Sequence, residues 1–433
     1  MILELLIRDG CSVAGFATIS REWQAIVEPS NFSRIKLTPQ RLADFGSIIH
    51  RNRSLVKHIS LRLKLEEYNC VRCIPRNPIG WVVNHKDNML ISTVFEKLLS
   101  TLSAWEPNDD LTLNITVHSP IDSNPLFDSI TALSGGLYGR NQPVERDDHQ
   151  HGWDAAYQGF GLGDIAFEAI FEDIALRRQF MNAEQENKWW QQLPAVPAVT
   201  RVILCQENRR QWRPTTLARM LPHFPRLQEI HYEPWWKSYR VIDERAGKDY
   251  QSLVESFASI GSLRKLVLFE DFNFESKVYT NEPLQKANRL VSLKTAEASL
   301  QLEHLWASFI VDASLFFPFA AAEPSRTWPN LTSLALTSRL LKPTENPAKI
   351  NEMLQVAAEA AMKMPKLETM ELWYVGEGFA GLFGYQSRPR SREPAAITWG
   401  GTWKVILEPS VIRAWEAVAL KHGNRRFTVS TNC

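Results

Sequence analysis

The sequence predicts an α/β fold in which parallel strands alternate with helices, and three observations indicate it. An apolar triplet with the spacing L-x-x-L-x-L occurs six times, beginning at positions 199, 227, 263, 302, 331 and 367. Helix-like stretches such as NEMLQVAAEAAMKM stand between triplets, and similar turns (FPRLQ, IGSLRK, WPNLTS, MPKLET) lead into four of them. A period of about 30 residues is typical of stacked strand-plus-helix repeats. We therefore expect an irregular leucine-rich-repeat-like solenoid, with parallel strands and helices outside; an unrelated α/β fold with short buried parallel strands is the alternative.

The first predicted element is a short helical module within residues 1–37. Its stretch SVAGFATISREWQAIVEP (12–29) spaces apolar residues three and four apart, which is the spacing of one helical face. Ser20 is placed to cap a helix and Pro29 to end it. We expect two short helices with a partly uncovered apolar face, which suits docking to another protein; a cap folded onto the rest of the chain is the alternative.

Residues 38–118 are expected to form the first strand and helix repeats. LVKHISLRLKL (Leu55–Leu65) and LTLNITV (Leu111–Val117) have the composition of further strands in the same sheet. Residues 119–160 lose all periodicity and accumulate Pro, Gly, Asp, Asn and His, which indicates a long mobile loop.

Residues 161–433 are expected to form the leucine-rich-repeat-like domain with its cap. An amphipathic helix (DIAFEAIFEDIALRRQF) precedes the triplets VTRVIL, LQEIHY, LRKLVL, LEHLWA, LTSLAL and LETMEL. The cap is predicted as a hairpin in AITWGGTWKVIL, the helix PSVIRAWEAVALKHG and the strand RFTVS. Gly400 and Gly401 are expected in a tight hairpin turn, since such turns require positive φ.

Composition excludes several classes of partner. The 433 residues carry 49 Lys and Arg against 48 Asp and Glu, so no net charge attracts nucleic acid or a membrane surface. No apolar run reaches the roughly 18 residues that span a bilayer, and the start lacks the features of a signal peptide. Five cysteines are too few, and odd in number, for a disulfide framework. We expect a cytoplasmic or nuclear protein that binds neither nucleic acid nor membrane.

No catalytic signature accompanies this fold. No G-x-S-x-G, Walker A or H-E-x-x-H motif occurs, and GFGLGD lacks the third glycine of a dinucleotide loop. Cys70 and Cys73 form one C-x-x-C without the second ligand pair that tetrahedral zinc needs. DDHQH (147–151) and RPRSR (388–392) are expected to be solvated loop segments. We predict no catalytic centre, no metal and no cofactor.

Aromatic residues at the ends of the repeat strands are the stronger functional signal. Residues between the apolar positions of a strand point to its opposite face, and Trp and Tyr commonly anchor protein interfaces. Rings folded under loops as additional core are the alternative. The predicted target-binding residues are His231, Glu233, Trp235, Trp236, Phe269, Glu270, Trp306, Glu371, Trp373 and Tyr374.

The N-terminal residues MILELLI and GFATISREWQAIVEPSNFSRIKL resemble the second half of an F-box. Later segments, among them QQLPAVPAVTRVILCQENRRQW, FPRLQEIHYEPW and AITWGGTWKVILEPSVIRAWEAVALKHG, are similar to the uncharacterised domain of filamentous-fungal F-box proteins. The resemblance implies a substrate receptor: the F-box docks on the adaptor subunit of a cullin-RING ubiquitin ligase, and the repeats hold an unknown protein target. The adaptor-binding residues that it implies are Leu5, Leu6, Phe16, Ile19, Trp23 and Ile26.

One departure leaves a second function open. The Leu-Pro pair that opens an F-box and the first residues of its first helix are absent, so the resemblance is to a truncated F-box. The alternative is a repeat scaffold that binds a partner protein without docking on a ligase.

Overall fold

A computed structural model of the chain describes residues 14–65, 85–107, 111–118, 174, 176, 180–205, 211–234, 243–270, 289–323, 325–376, 378–387 and 394–432. These residues form a mixed α/β structure in two compact units, one ending at Leu227 and the other beginning at Gln228. The predicted loop 119–160, the pair Cys70 and Cys73, and most of the helix predicted over 164–180 lie outside the described residues.

In the part of the first unit that the structure describes, four parallel strands follow chain order. Its helices are α1 (Arg21–Ser33), α2 (Pro39–Ile48), α3 (His85–Ser103), α4 (Ala183–Gln192) and α5 (Pro214–Met220). Short 3₁₀ turns occur at Ala14–Thr18, His50–Leu55 and Leu221–His223. Its strands are β1 (Arg34–Leu37), β2 (His58–Lys64), β3 (Leu111–His118) and β4 (Val199–Leu204). Within this unit β1 pairs with β2, β2 with β3 and β3 with β4, all in parallel.

Buried residues alternate with less buried ones along β2 and along most of β3, and the buried ones form part of the core of the first unit. Ile59, Leu61 and Leu63 are each at most 1% exposed, whereas the intervening residues of β2 are half-buried or exposed. Parallel strands need a crossover between them, and α3 supplies it between β2 and β3. Its residues Phe95 and Leu98 are completely buried, because the helix turns its apolar stripe to the core. Both strands predicted in residues 38–118 are therefore confirmed.

The described residues of the second unit form eight strands, each paired with the next in chain order. The strands are β5 (Glu229–Tyr232), β6 (Lys265–Phe269), β7 (His304–Asp312), β8 (Ser333–Thr337), β9 (Thr369–Gly376), β10 (Phe379–Gln386), β11 (Ala395–Gly401) and β12 (Phe427–Asn432). Its helices are α6 (Asp243–Ala258), α7 (Arg289–Ala298), α8 (Ala313–Phe316), α9 (Pro318–Ala321), α10 (Pro347–Ala361) and α11 (Pro409–Lys421). Strands β5 to β9 are parallel, β10 is antiparallel to both its neighbours, and β12 is parallel to β11.

All six apolar triplets form strands, as predicted. VTRVIL is β4 in the first unit, and the other five triplets overlap β5 to β9, which are adjacent and parallel in the second unit. The apolar positions of every triplet are at most 3% exposed. In LRKLVL, for example, Leu263, Leu266 and Leu268 are at most 1% exposed, because the strand presents every second residue to the helices.

The predicted hairpin at Gly400 and Gly401 is wrong. Both glycines lie inside β11, opposite Leu382 and Gly381 of β10, and neither has positive φ. The hairpin instead joins β9 to β10, and Gly378 between them has a φ of 71°. The second half of the predicted hairpin, TWKVIL, is not a strand but leads into α11. The final helix and strand of the predicted cap are present as α11 and β12.

The end of the first helix also differs from the prediction. Ser20 caps α1 as expected, since its Oγ accepts a hydrogen bond from the backbone N–H of Trp23 at 3.2 Å. The helix, however, continues through Pro29 to Ser33. Proline removes one backbone hydrogen bond from a helix but does not always stop it. Val27, which is completely buried, anchors this last part of α1.

Candidate protein-binding surfaces

The strands β5 to β9 carry a second row of side chains on the face opposite the apolar triplets. We call this the outer face. It is formed by Glu229, His231, Lys265, Val267, Phe269, His304, Trp306, Ser333, Ala335, Thr369, Glu371 and Trp373. His231 and Val267 are only 9% and 8% exposed, whereas Trp306 and Glu371 are exposed. The continuous surface predicted from the sequence is therefore open at β7 to β9 and covered at β5 and β6.

Three residues on β5 and β6 form an ionic cluster on this face. Glu229 Oε1 lies 2.7 Å from His231 Nε2 and 2.7 Å from Lys265 Nζ. These contacts lower the pKa of Glu229 to about 2, the hydrogen bond with His231 contributing most and Lys265 adding to it. Glu229 is therefore ionised at neutral pH, and its charge is already compensated within the protein.

Trp306 is the most exposed tryptophan of the part of the chain that the structure describes, at 40%. Its indole makes two contacts: Lys265 Nζ lies over the ring, 5.0 Å from the centroid, and Nε1 at the ring edge donates to Ser333 Oγ at 3.0 Å. Ser333 Oγ also accepts a hydrogen bond from Thr369 Oγ1 at 3.1 Å. The ring is thus fixed by β6, β8 and β9 while much of its surface remains accessible.

An aromatic cluster lies at the end of β6, at a bulge within β7 and in the middle of β9. Phe309 stands between Phe269 and Trp373, with ring centroids 6.1 and 5.3 Å away. Among the described residues Phe309 is the non-glycine residue with positive φ (64°), because residues 308–311 bulge out of the β7–β8 ladder. Thr337 stabilises the bulge: its Oγ1 accepts from the Phe309 backbone N–H at 2.7 Å and donates to the Val311 carbonyl at 3.2 Å. Sequence reasoning missed Phe309, since nothing in its neighbours signals the bulge.

Three predicted target-binding residues are buried instead: His231 of the outer face, Glu270 and Tyr374. Glu270 and Tyr374 are 7% and 3% exposed, and each follows the alternation of the apolar triplet rather than that of the outer face. Burial raises the pKa of Glu270 to about 7, although the Tyr250 hydroxyl donates to its Oε1 at 3.4 Å. Burial likewise raises the pKa of Tyr374 to about 12. Glu233 is half-buried, and Trp235 and Trp236 lie outside the described residues.

A separate apolar surface lies on the N-terminal helices. Phe16, Ile19 and Ile26 are 36%, 60% and 46% exposed, and Trp23 is half-buried with its ring 5.6 Å from that of Phe16. We call these four residues the N-terminal apolar surface. The two short helices and the partly uncovered face match the expectation from the sequence. Leu5 and Leu6, the other predicted adaptor-binding residues, lie outside the described residues.

The described residues hold no group of three or more His, Cys, Asp or Glu side chains that could bind a metal ion. None of their helices has both the length and the apolar character needed to cross a membrane. Cys70, Cys73, residues 147–151 and residues 388–392 lie outside that part of the chain.

The fold and surfaces define a mixed α/β protein with an aromatic outer face on its second unit. Residues 259–433 of this chain match the model of a "Family of unknown function (DUF6546)". The matched segment contains β6 to β12, and therefore Trp306, Glu371 and the aromatic cluster. No curated protein matches the chain.

Proposed function

We propose that the chain is a non-catalytic protein-interaction protein whose partner binds the outer face at β7 to β9. The observation that carries this proposal is the exposed, fixed indole of Trp306. A partner that covers this ring gains apolar burial at about 25 cal/mol per Å². It also avoids most of the entropy cost of ordering a side chain, because Ser333 and Lys265 already hold the indole.

The test is affinity capture with quantitative mass spectrometry on wild type and Trp306→Ser. Leu420→Ser is the matched control, because Leu420 is 62% exposed on α11 of the same unit. We expect specific proteins to be depleted at least about fivefold by Trp306→Ser and not by Leu420→Ser. Equal capture by all three proteins would exclude the outer face as the binding surface.

We propose further that the N-terminal apolar surface docks on the adaptor subunit of a cullin-RING ubiquitin ligase, which would make the chain a substrate receptor. The truncated F-box resemblance and the exposure of Phe16, Ile19 and Ile26 support this step. An exposed apolar patch of this kind often marks an interaction site. A cytoplasmic or nuclear location belongs to the same proposal.

Binding of the purified chain to the purified adaptor tests the docking step. We expect Ile19→Asp and Ile26→Asp to abolish binding without unfolding the chain, because both side chains are exposed. Ile48→Asp is the matched control, since Ile48 is 72% exposed on α2 of the same unit. Trp23→Ala and an N-terminally extended form complete the series. Binding by the extended form alone would show that docking requires residues added before Met1.

The second candidate is a repeat scaffold without ligase docking. The edge-on packing of Phe16 against Trp23 favours it, because part of the N-terminal apolar surface is already satisfied within the chain. Failure of both the original and the extended form to bind the adaptor, with capture through Trp306 intact, would support the scaffold over the receptor.

We infer that the strand and helix units stack as an irregular leucine-rich-repeat-like solenoid. Parallel pairing in chain order from β5 to β9, with helices between successive strands, supports this inference. A solved structure in which the strand and helix repeats from β5 to β9 do not form a continuous curved stack would contradict this inference.

A further inference from the structure

We propose that the outer face at β7 to β9 recognises a basic side chain, best an arginine, in an extended segment of the partner protein. The inference rests on the proposed function, since it specifies the chemistry of the partner at the same surface.

The register of three strands creates a site of suitable width. Trp306 of β7 lies directly opposite Ala335 of β8, and Ala335 lies directly opposite Glu371 of β9. Neighbouring strands are about 4.8 Å apart, so the Cα atoms of Trp306 and Glu371 are separated by about 10 Å. Because Ala335 carries only a methyl group, it forms a low floor between an aromatic wall and an acidic wall. The aliphatic stem of one long side chain fits between them.

The charge on this part of the outer face is uncompensated and negative. Glu371 is exposed and has no hydrogen bond or ion pair among the described residues. Glu229, by contrast, is already paired with Lys265 and His231. Electrostatic complementarity therefore favours a cationic group beside Glu371.

The aromatic wall is also a surface for a cation. Lys265 Nζ already lies over one face of the Trp306 ring at 5.0 Å, approaching from β6. The ring is nevertheless 40% exposed, so part of its surface remains accessible to a second cation. A guanidinium group stacks well on such a ring and can pair with a carboxylate at its edge, whereas an ammonium group acts mainly as a point charge. Trp373, two residues beyond Glu371 on the same face of β9, provides a second aromatic contact.

A synthetic peptide array measures this preference directly. Each ten-residue peptide, with randomised flanks, is made in four versions whose central residue is arginine, lysine, citrulline or glutamate. Citrulline keeps the shape of arginine and removes its charge. We expect wild type to bind arginine versions most strongly, and Glu371→Gln to reduce that binding about fivefold. Glu371→Arg is expected to reverse the preference, so that glutamate versions bind best.

The matched control is Glu359→Gln, which removes an exposed carboxylate from α10 of the same unit and should leave the preference unchanged. Circular dichroism of each variant verifies that it is folded. Equal binding of arginine and citrulline versions, with binding still lost in Trp306→Ser, would overturn the basic-residue inference and leave the proposed surface intact. Binding that neither Glu371→Gln nor Trp306→Ser changes would overturn both. Absence of any peptide binding would also overturn the inference, whereas the proposed function would still depend on the capture experiment with Trp306→Ser.

Discussion

The side chains of Asp312 and Ser338 join the end of β7 to the residue that follows β8: Ser338 Oγ donates to Asp312 Oδ1 at 3.1 Å, and both residues are buried. Asp312 Oδ1 also accepts hydrogen bonds from the backbone N–H and the hydroxyl of Ser314, so Asp312 caps the N-terminus of α8. Its Oδ2 accepts from the backbone N–H of Arg339 at 3.0 Å. One carboxylate thus satisfies four donors around the bulge that carries Phe309.

We expect Asp312→Ala to destabilise the chain by about 3 kcal/mol, because it leaves several buried donors without a partner. Ser338→Ala removes the hydrogen bond to Asp312 and a longer one, at 3.4 Å, that Ser338 Oγ accepts from the Leu340 backbone N–H. It is expected to cost about 1 kcal/mol. Urea denaturation of the two variants and wild type measures the difference. Equal costs for the two substitutions would contradict a central role for the carboxylate.

Glu229→Gln is expected to lower stability by about 2 kcal/mol at pH 7, since it removes the charge that holds Lys265 and His231. The pKa of Glu229 is lowered to about 2, so its stabilisation is complete above the ordinary glutamate pKa and is lost as pH falls towards 2. The stability difference between wild type and variant should therefore shrink between about pH 4.5 and pH 2. Glu359→Gln, which changes an exposed residue of α10, should show no such change.

Glu270→Gln is expected to change the pH dependence of stability in the opposite direction to Glu229→Gln. The pKa of Glu270 is raised to about 7, so its carboxylate is neutral in the folded protein below about pH 7 and is buried as a charged group only above that pH. Wild type should lose stability as pH rises from about 4.5 through 7, and the neutral variant should not. At pH 8 we expect the variant to be more stable by about 2 kcal/mol, and at pH 4 the two should match. Thermal unfolding across this range, with Glu416→Gln as an exposed control, tests the sign.

Gly381→Ala is expected to cost about 2 kcal/mol or more, because an added Cβ would meet the ring of Trp403 and approach that of Trp399. Gly400→Ala is the matched control on the neighbouring strand: it meets no atom within 4 Å and its φ is not positive. The control is expected to be neutral within about 0.5 kcal/mol. A large loss of stability in Gly400→Ala would contradict the open space that the structure shows beside Gly400.

The repeated strands could be predicted because their signal is periodic. Each triplet repeats one burial pattern, and the turns before Leu263, Leu331 and Leu367 share a form. The turn predicted at Gly400 and Gly401 was wrong because a glycine can either adopt a positive φ or allow the close approach of a large ring. Composition alone does not distinguish these two uses. Gly381 shows the second use and Gly378 the first.

The candidate site was predictable only in part. Trp306 follows from simple alternation within its triplet, and the same alternation contained the signal that Glu270 and Tyr374 are buried. The burial of His231 and Val267 has no such signal, because a strand does not specify what covers its outer side. Phe309 depends on a bulge stabilised by Thr337, a residue far away in the sequence.

The chain-order pairing of strands in the second unit has a consequence for synthesis. From β6 to β12 each strand finds its partner in the strand made just before it, so none of these strands must wait for a distant part of the polypeptide. Contacts between segments close in sequence form quickly, since little loop entropy is lost in closing them. The growing sheet can therefore assemble strand by strand as the polypeptide leaves the ribosome, and each finished strand serves as the template for its successor.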